Sequence, residues 1–138
     1  MANVRPLNNK KYHISKHRFA ELYHFCLQYN EWKLELRYRT DTVGSAGCTA
    51  GRTGWEDQNP TETLAIERVT LEEKCRLIEN TAREAEPEIY PYLLKAVTNE
   101  DITFVYLKEM MGIPCGKDMY YDRRRRFYYL LAQKKISL

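Results

Sequence analysis

The stretch that decides the fold runs from residue 102 to residue 131 and reads ITFVYLKEMMGIPCGKDMYYDRRRRFYYLL. Its first part predicts a short helix, because apolar side chains recur at i, i+3 and i+7, namely Phe104, Leu107 and Met111. Gly112 can adopt the left-handed conformation that ends such a helix, and Ile113 is predicted to fill the corner behind it. A longer basic helix is predicted from about residue 117 to residue 133. A short helix, a turn with Gly and a longer basic helix together predict a helix-turn-helix motif.

The longer helix divides into two sides when it is wound at 3.6 residues per turn. One stripe is apolar and is predicted to pack against the preceding helix: Tyr120, Phe127 and Leu131, with Met119 and Leu130 at its edges. The other side combines cations with aromatic rings: Lys117, Tyr121, Arg124, Arg125 and Tyr128. Residues 117–135 hold seven cations and two anions, a local charge of +5 in a chain whose total is +3. Because the basic charge is concentrated in one helix, the sequence favours binding to nucleic acid.

The expected DNA-contacting residues are the cationic side of this helix together with Arg123, that is, Lys117, Tyr121, Arg123, Arg124, Arg125 and Tyr128. Arg123 and Arg126 flank the apolar stripe and could instead bond acidic residues within the fold. Two other interpretations of the arginine run stay open: a solvated helix face, and a surface that binds an acidic protein.

The rest of the chain predicts an all-α protein with a helical arm before the motif. Residues 1–14 are expected to be a loose basic lead-in, and Ser15 is the expected cap of a first helix that extends to Leu36. Residues 40–58 hold four of the six glycines and are predicted to form a flexible loop. A second long helix is predicted to begin near Pro60 and to end at about residue 85, before Pro87. We expect the two long helices to form an antiparallel hairpin over residues 15–85, and residues 86–138 to form the helix-turn-helix subdomain.

Composition argues against several other classes of protein. No run of the sequence approaches 18 apolar residues, so a membrane span is not expected. The four cysteines stand far apart, which favours free thiols in a reducing compartment. His13 and His17 have a spacing that suits a metal on a helix, but no third ligand lies nearby in the sequence, so neither a metal nor a cofactor is expected. There is no catalytic constellation or phosphate-binding glycine loop, so an enzyme is not expected.

A family resemblance supports this interpretation. The chain resembles the RinA/ArpU-type transcriptional regulators of bacteriophages of Gram-positive bacteria, whose C-terminal parts resemble the DNA-binding region of sigma factors. The likeness spans about residues 12–135 and is carried by Trp32, Pro60-Thr61-Glu62, Tyr106-Leu107, Gly112-Ile113-Pro114, Tyr120-Tyr121 and Arg123–Leu131. The family usually has Ser or another capping residue after the Gly-Ile of the turn, where this chain has Pro114-Cys115-Gly116.

The resemblance implies control of phage late genes by promoter binding in the cytoplasm of a bacterial host. The expected partners are double-stranded DNA and RNA polymerase. A different class of function is the alternative: a phage-encoded interaction module that binds an acidic host or phage protein through its basic helix.

A homodimer built on the helix of residues 60–85 is a further expectation. The seam from Leu64 to Ala85 has heptad-like spacing and is predicted to pack inside one chain. Ile66 and Val69 lie away from that seam, and a second copy of the chain could cover them. A monomer that docks alone on DNA, as sigma factors do, is the alternative.

Overall fold

The computed structural model describes the backbone of residues 12–46 and 60–137, and the side chains of residues 12–38 and 62–135. These residues form six helices and no strand, so the prediction of an all-α fold is confirmed. The helices are α1 (Lys16–Leu27), α2 (Tyr29–Ala46), α3 (Pro60–Ala85), α4 (Tyr90–Val97), α5 (Phe104–Glu109) and α6 (Lys117–Ser137). Most of the predicted lead-in, residues 1–11, lies outside the described residues.

The predicted first helix is two helices in the structure. Ser15 caps α1 as expected, because its hydroxyl accepts a hydrogen bond from the Arg18 N–H at 3.2 Å. The helix then ends at Leu27, and the Gln28 N–H bonds back only three residues, to the Phe25 carbonyl at 3.3 Å. Apolar residues keep their helical spacing across this break, so the periodicity of the sequence carries no sign of it.

The predicted loop of residues 40–58 is wrong in its first part. The structure continues α2 to Ala46, so residues 40–46 are helical, and residues 47–58 lie outside the described part of the chain. One glycine within this extension, Gly44, costs a helix only about 1 kcal/mol, which the rest of α2 can offset. The prediction relied on glycine content and therefore placed the start of the loop too early.

The chain divides into two compact units, and the division differs from the predicted one. The large unit comprises residues up to Gln28 together with Leu77–Leu138, and the small unit comprises Tyr29–Arg76. The boundary predicted at residue 86 therefore falls inside the large unit, to which α1 and the end of α3 also belong.

The core of the large unit is built around α6. Helices α1, α4 and α6 contact one another, and the end of α3 adds Ile78, Ala82 and Ala85 to the buried residues. The Phe19 ring of α1 meets the Tyr128 ring of α6 edge-on at 4.9 Å, and the Arg18 guanidinium donates to the Ala132 carbonyl at 3.1 Å. The apolar face of α1 therefore packs against α6, whereas the sequence suggested that it would pack against α3.

The small unit holds an antiparallel pair of helices. The Trp32 ring on α2 is buried and lies 5.3 Å from the Lys74 ammonium of α3. One turn later on α2, Glu35 lines a groove with Ile66 and Leu71. Residue numbers thus rise along α2 as they fall along α3. These contacts join α2 to the first half of α3 only, and the hairpin suggested for residues 15–85 stays a prediction.

Candidate nucleic-acid interface

The corner between α5 and α6 has the local features that the sequence suggests. Gly112 has a positive φ of 71°, the left-handed conformation that glycine adopts at little cost. Ile113 is buried, and its N–H donates to the Leu107 carbonyl at 3.0 Å, which ties the corner to the end of α5.

The connection between the two helices is longer than expected. Met110 to Gly116 separate α5 from α6, seven residues, whereas a helix-turn-helix usually has a turn of about three or four. Pro114 disfavours a helical conformation for the residue before it, which keeps α6 from starting directly after the corner. Gly116 directly precedes α6, and its carbonyl accepts the Tyr120 N–H at 3.0 Å.

The buried side of α6 is wider than the predicted stripe. Tyr120, Phe127 and Leu131 are buried as predicted, and Tyr128 is buried completely. The prediction that Tyr128 projects with the cations is therefore wrong. Its ring packs against Phe19, and burial raises the pKa of its hydroxyl well above the usual range. Tyrosine is amphipathic, so its identity alone did not show on which side it would lie.

Arg123 is held within the large unit. Its guanidinium bonds the Glu86 carboxylate at 2.7 Å and also pairs with the neighbouring Asp122. The hydrogen bond to Glu86 is the main reason why the pKa of Arg123 is raised. Its side chain is only 26% exposed, so Arg123 fixes α6 to the segment after α3 and is not available as a free cation.

Arg124 lies on the inner side of α6, between the aromatic residues of the core. Its guanidinium stands 5.3 Å from the centre of the Tyr128 ring, within the range of a cation–π contact. Its charge also opposes the effect of burial at Tyr120, where burial raises the pKa to about 12. The Arg124 side chain is half-buried, and its ring contact is with a residue of the same chain.

Three of the six expected residues lie in line on the first half of α6. Lys117, Tyr121 and Arg125 follow one another at a spacing of four, which lines them up along one side of the first half of the helix. Lys117 is exposed, whereas Tyr121 and Arg125 are half-buried, as Arg124 is, and the Tyr121 ring rests edge-on against Tyr120 at 4.9 Å. No ion pair between described residues involves Lys117 or Arg125. We call these three residues the Lys117 ridge.

One cation near this ridge was missed by the reasoning from sequence. Lys108 is exposed on α5, and its charge acts on the Cys115 thiol in the connection, which places it near the start of α6. Burial is the larger influence and raises the pKa of that thiol. Lys108 was not predicted as a site residue, because α5 was considered only as the packing partner of α6.

Neither a metal site nor a membrane span is found where the structure describes the chain. Over residues 12–46 and 60–137, His, Cys, Asp and Glu side chains form no group of three or more that could hold an ion. In the same ranges, no helix is both long enough and apolar enough to cross a membrane. Cys26 and Cys115 are free thiols, and burial raises the pKa of Cys26 above its ordinary value.

Comparisons with known proteins identify no relative of this chain, so an assignment of function rests on its own residues. No protein-family model, no curated protein and no solved structure matches this chain. The resemblance to phage regulators therefore stays a prediction.

Proposed function

We propose that this protein binds double-stranded DNA in a sequence-specific manner and regulates transcription. The observation that carries the proposal is the Lys117 ridge, a cation–aromatic–cation line on the first half of α6, directly after the α5–Gly112 corner. In helix-turn-helix proteins, the N-terminal residues of the second helix contact base edges in the major groove. The ridge occupies the corresponding part of α6.

Each residue of the ridge suits a particular kind of contact. An arginine can donate two hydrogen bonds to the O6 and N7 atoms of guanine, and this would be the role of Arg125. Lys117, at the first position of α6, is suited to a phosphate, which fixes the position of a helix but carries no sequence information. The Tyr121 hydroxyl can donate to a phosphate, while its ring gives the ridge a rigid apolar surface.

Arg123 and Arg124 would support this interface from behind. Arg123 ties α6 to Glu86 and so restrains the helix that presents the ridge, whereas Arg124 lies over Tyr128 of the same helix. Regulation of phage late genes, and RNA polymerase as a second partner, rest on the family resemblance alone.

The first experiment is the selection of bound sequences from a random pool of double-stranded DNA. Enrichment of one sequence motif is the expected result, and it would give the site for all later affinity measurements. Failure to enrich any motif, together with binding to acidic proteins, would favour the interaction module over a DNA-binding regulator.

Arg125→Ala is expected to weaken binding to the selected site. Loss of a bidentate contact to guanine costs about 1–3 kcal/mol of discrimination against the wrong base. The measurement is fluorescence anisotropy at a fixed salt concentration, with circular dichroism to verify that the helices remain.

Arg126→Ala is the matched control, because it removes the same side chain one residue along, about 100° around the helix. It should retain most of the affinity and all of the sequence preference. If the two variants lost equal affinity, with preference unchanged, the ridge would not be the surface that reads DNA.

A further inference from the structure

A second apolar line lies on the outer face of α3, in the small unit. Ile66 and Val69 are 62% and 51% exposed there, although their side chains are large and apolar. They belong to a line of exposed residues spaced at 4, 3, 4 and 3, which is the spacing of a coiled-coil seam: Glu62, Ile66, Val69, Glu73 and Arg76. The line faces away from Leu71 and Cys75, which are buried, and Ile66 at its edge also borders the groove with Glu35 of α2. Among the described residues, Leu71 and Cys75 are therefore covered, while Ile66 and Val69 are largely exposed.

The charges on the outer line indicate what could cover it. In a parallel pair of identical helices, each residue meets its own copy, so Glu62 would face glutamate and Arg76 would face arginine. In an antiparallel pair with its two-fold axis at Val69, Glu62 of each copy meets Arg76 of the other, because both lie seven residues from the axis. The same register places Glu73 opposite the small Ala65 and Ile66 opposite Glu72. Of the two arrangements, only the antiparallel one brings the charges of Glu62 and Arg76 together.

The side chains at the ends of the line can reach such a partner. Glu62 is exposed, and the Arg76 side chain is 70% exposed. Among the described residues, Arg76 has one weak ion-pair contact, 4.0 Å from Glu72, and Glu72 is also bonded to Arg68 at 3.1 Å. Exchange of that contact for Glu62 of a second copy would therefore cost little.

We propose that a second copy of this chain docks antiparallel on the outer line of α3, about a two-fold axis at Val69. The valines meet at the axis, and each Ile66 lies about one turn from it. Two Glu62–Arg76 pairs close the ends and fix the register, since a shift of three residues would bring Glu62 opposite Glu73. This assembly does not depend on the proposed DNA binding and can be tested without DNA.

Val69→Asp tests the centre of the proposed interface. The full chain is expected to form dimers at micromolar concentration in sedimentation velocity, and this change should raise the dimer dissociation constant by at least about tenfold, because it buries two facing charges. Val105→Asp is the matched control, because Val105 is 61% exposed on α5 in the other unit. It should leave the dissociation constant unchanged. The proposal would be overturned if the wild-type chain were monomeric at every concentration, because the outer line would then serve another partner. It would also be overturned if a dimer formed and Val69→Asp left its dissociation constant unchanged.

Charge reversal tests the direction and register of the pairing. Glu62→Arg alone and Arg76→Glu alone should each weaken the dimer by roughly tenfold, because each turns two attractive pairs into repulsive ones. The double variant, Glu62→Arg with Arg76→Glu, should restore wild-type affinity. Circular dichroism of each variant separates loss of pairing from loss of folding. A double variant that is folded and as weak as the single variants would overturn the antiparallel register.

Discussion

Phe127→Ala is expected to lower the free energy of unfolding by about 3–5 kcal/mol, because it leaves a ring-sized cavity at a fully buried site. The Phe127 side chain is completely enclosed, and its ring meets the Tyr128 ring at 5.1 Å. In a helix that carries much of the core of the large unit, the surrounding side chains can close such a cavity only in part. Thermal or urea unfolding, followed by circular dichroism, measures the loss.

Arg126→Ala provides the control for that measurement. It removes a side chain of similar size from the neighbouring position, which is not fully buried, and should change the free energy of unfolding by no more than about 0.5 kcal/mol. Equal stability of Phe127→Ala and the wild type would mean that the buried side of α6 has been assigned to the wrong residues.

Tyr128 should respond in opposite directions to two substitutions. Its hydroxyl is buried with no hydrogen-bond partner among the described residues. A buried hydroxyl left unsatisfied costs about 1–3 kcal/mol, so Tyr128→Phe should be at least as stable as the wild type and could gain a similar amount. Tyr128→Ala removes the ring as well and should lose about 3–5 kcal/mol.

The same two variants separate a core residue from a DNA contact. Tyr128→Phe should bind the selected DNA with unchanged affinity, because the hydroxyl does not reach the surface. A stable Tyr128→Phe protein with weaker DNA binding would support the original interpretation of this residue as a contact. A loss of stability above about 1 kcal/mol would show that the hydroxyl has a partner in solution.

The sequence was informative where structure is determined by neighbouring residues. The cap at Ser15, the start of α3 at Pro60 and the left-handed Gly112 follow from local chemistry, and each is found in the structure. The end of α1 at Leu27 was not predictable in this way. Apolar spacing continues across it, and the break separates a helix that packs on α6 from one that packs on α3. Such a difference depends on tertiary contacts, which periodicity does not encode.

The candidate site illustrates the same limit. Periodicity identified Tyr120, Phe127 and Leu131 as buried, but it could not show that a second helix would cover the adjacent side of α6. The contacts that remove residues from the predicted site are distant in sequence: Arg123 bonds Glu86, 37 residues away, and Tyr128 meets Phe19. Lys117, Tyr121 and Arg125 lie earlier in α6 than Tyr128 and Ala132, the residues that α1 contacts, and they stay a prediction as DNA contacts.

Because several cations on α6 already pair within the chain, the number of cations overstates how strongly DNA binding would depend on salt. Of the seven between residues 117 and 135, Arg123, Lys134 and Lys135 face carboxylates at 2.7, 3.0 and 3.9 Å, and Arg124 lies over a ring. Arg126 lies off the Lys117 ridge, so Lys117 and Arg125 are left to displace the counterions condensed on a duplex. Each phosphate neutralised contributes about −0.9 to the slope of log affinity against log salt, so α6 would contribute about −1.8, against about −6 for all seven. A helix that looks strongly polycationic in sequence would thus release few ions, and its affinity would depend less on salt than on the bases that it meets.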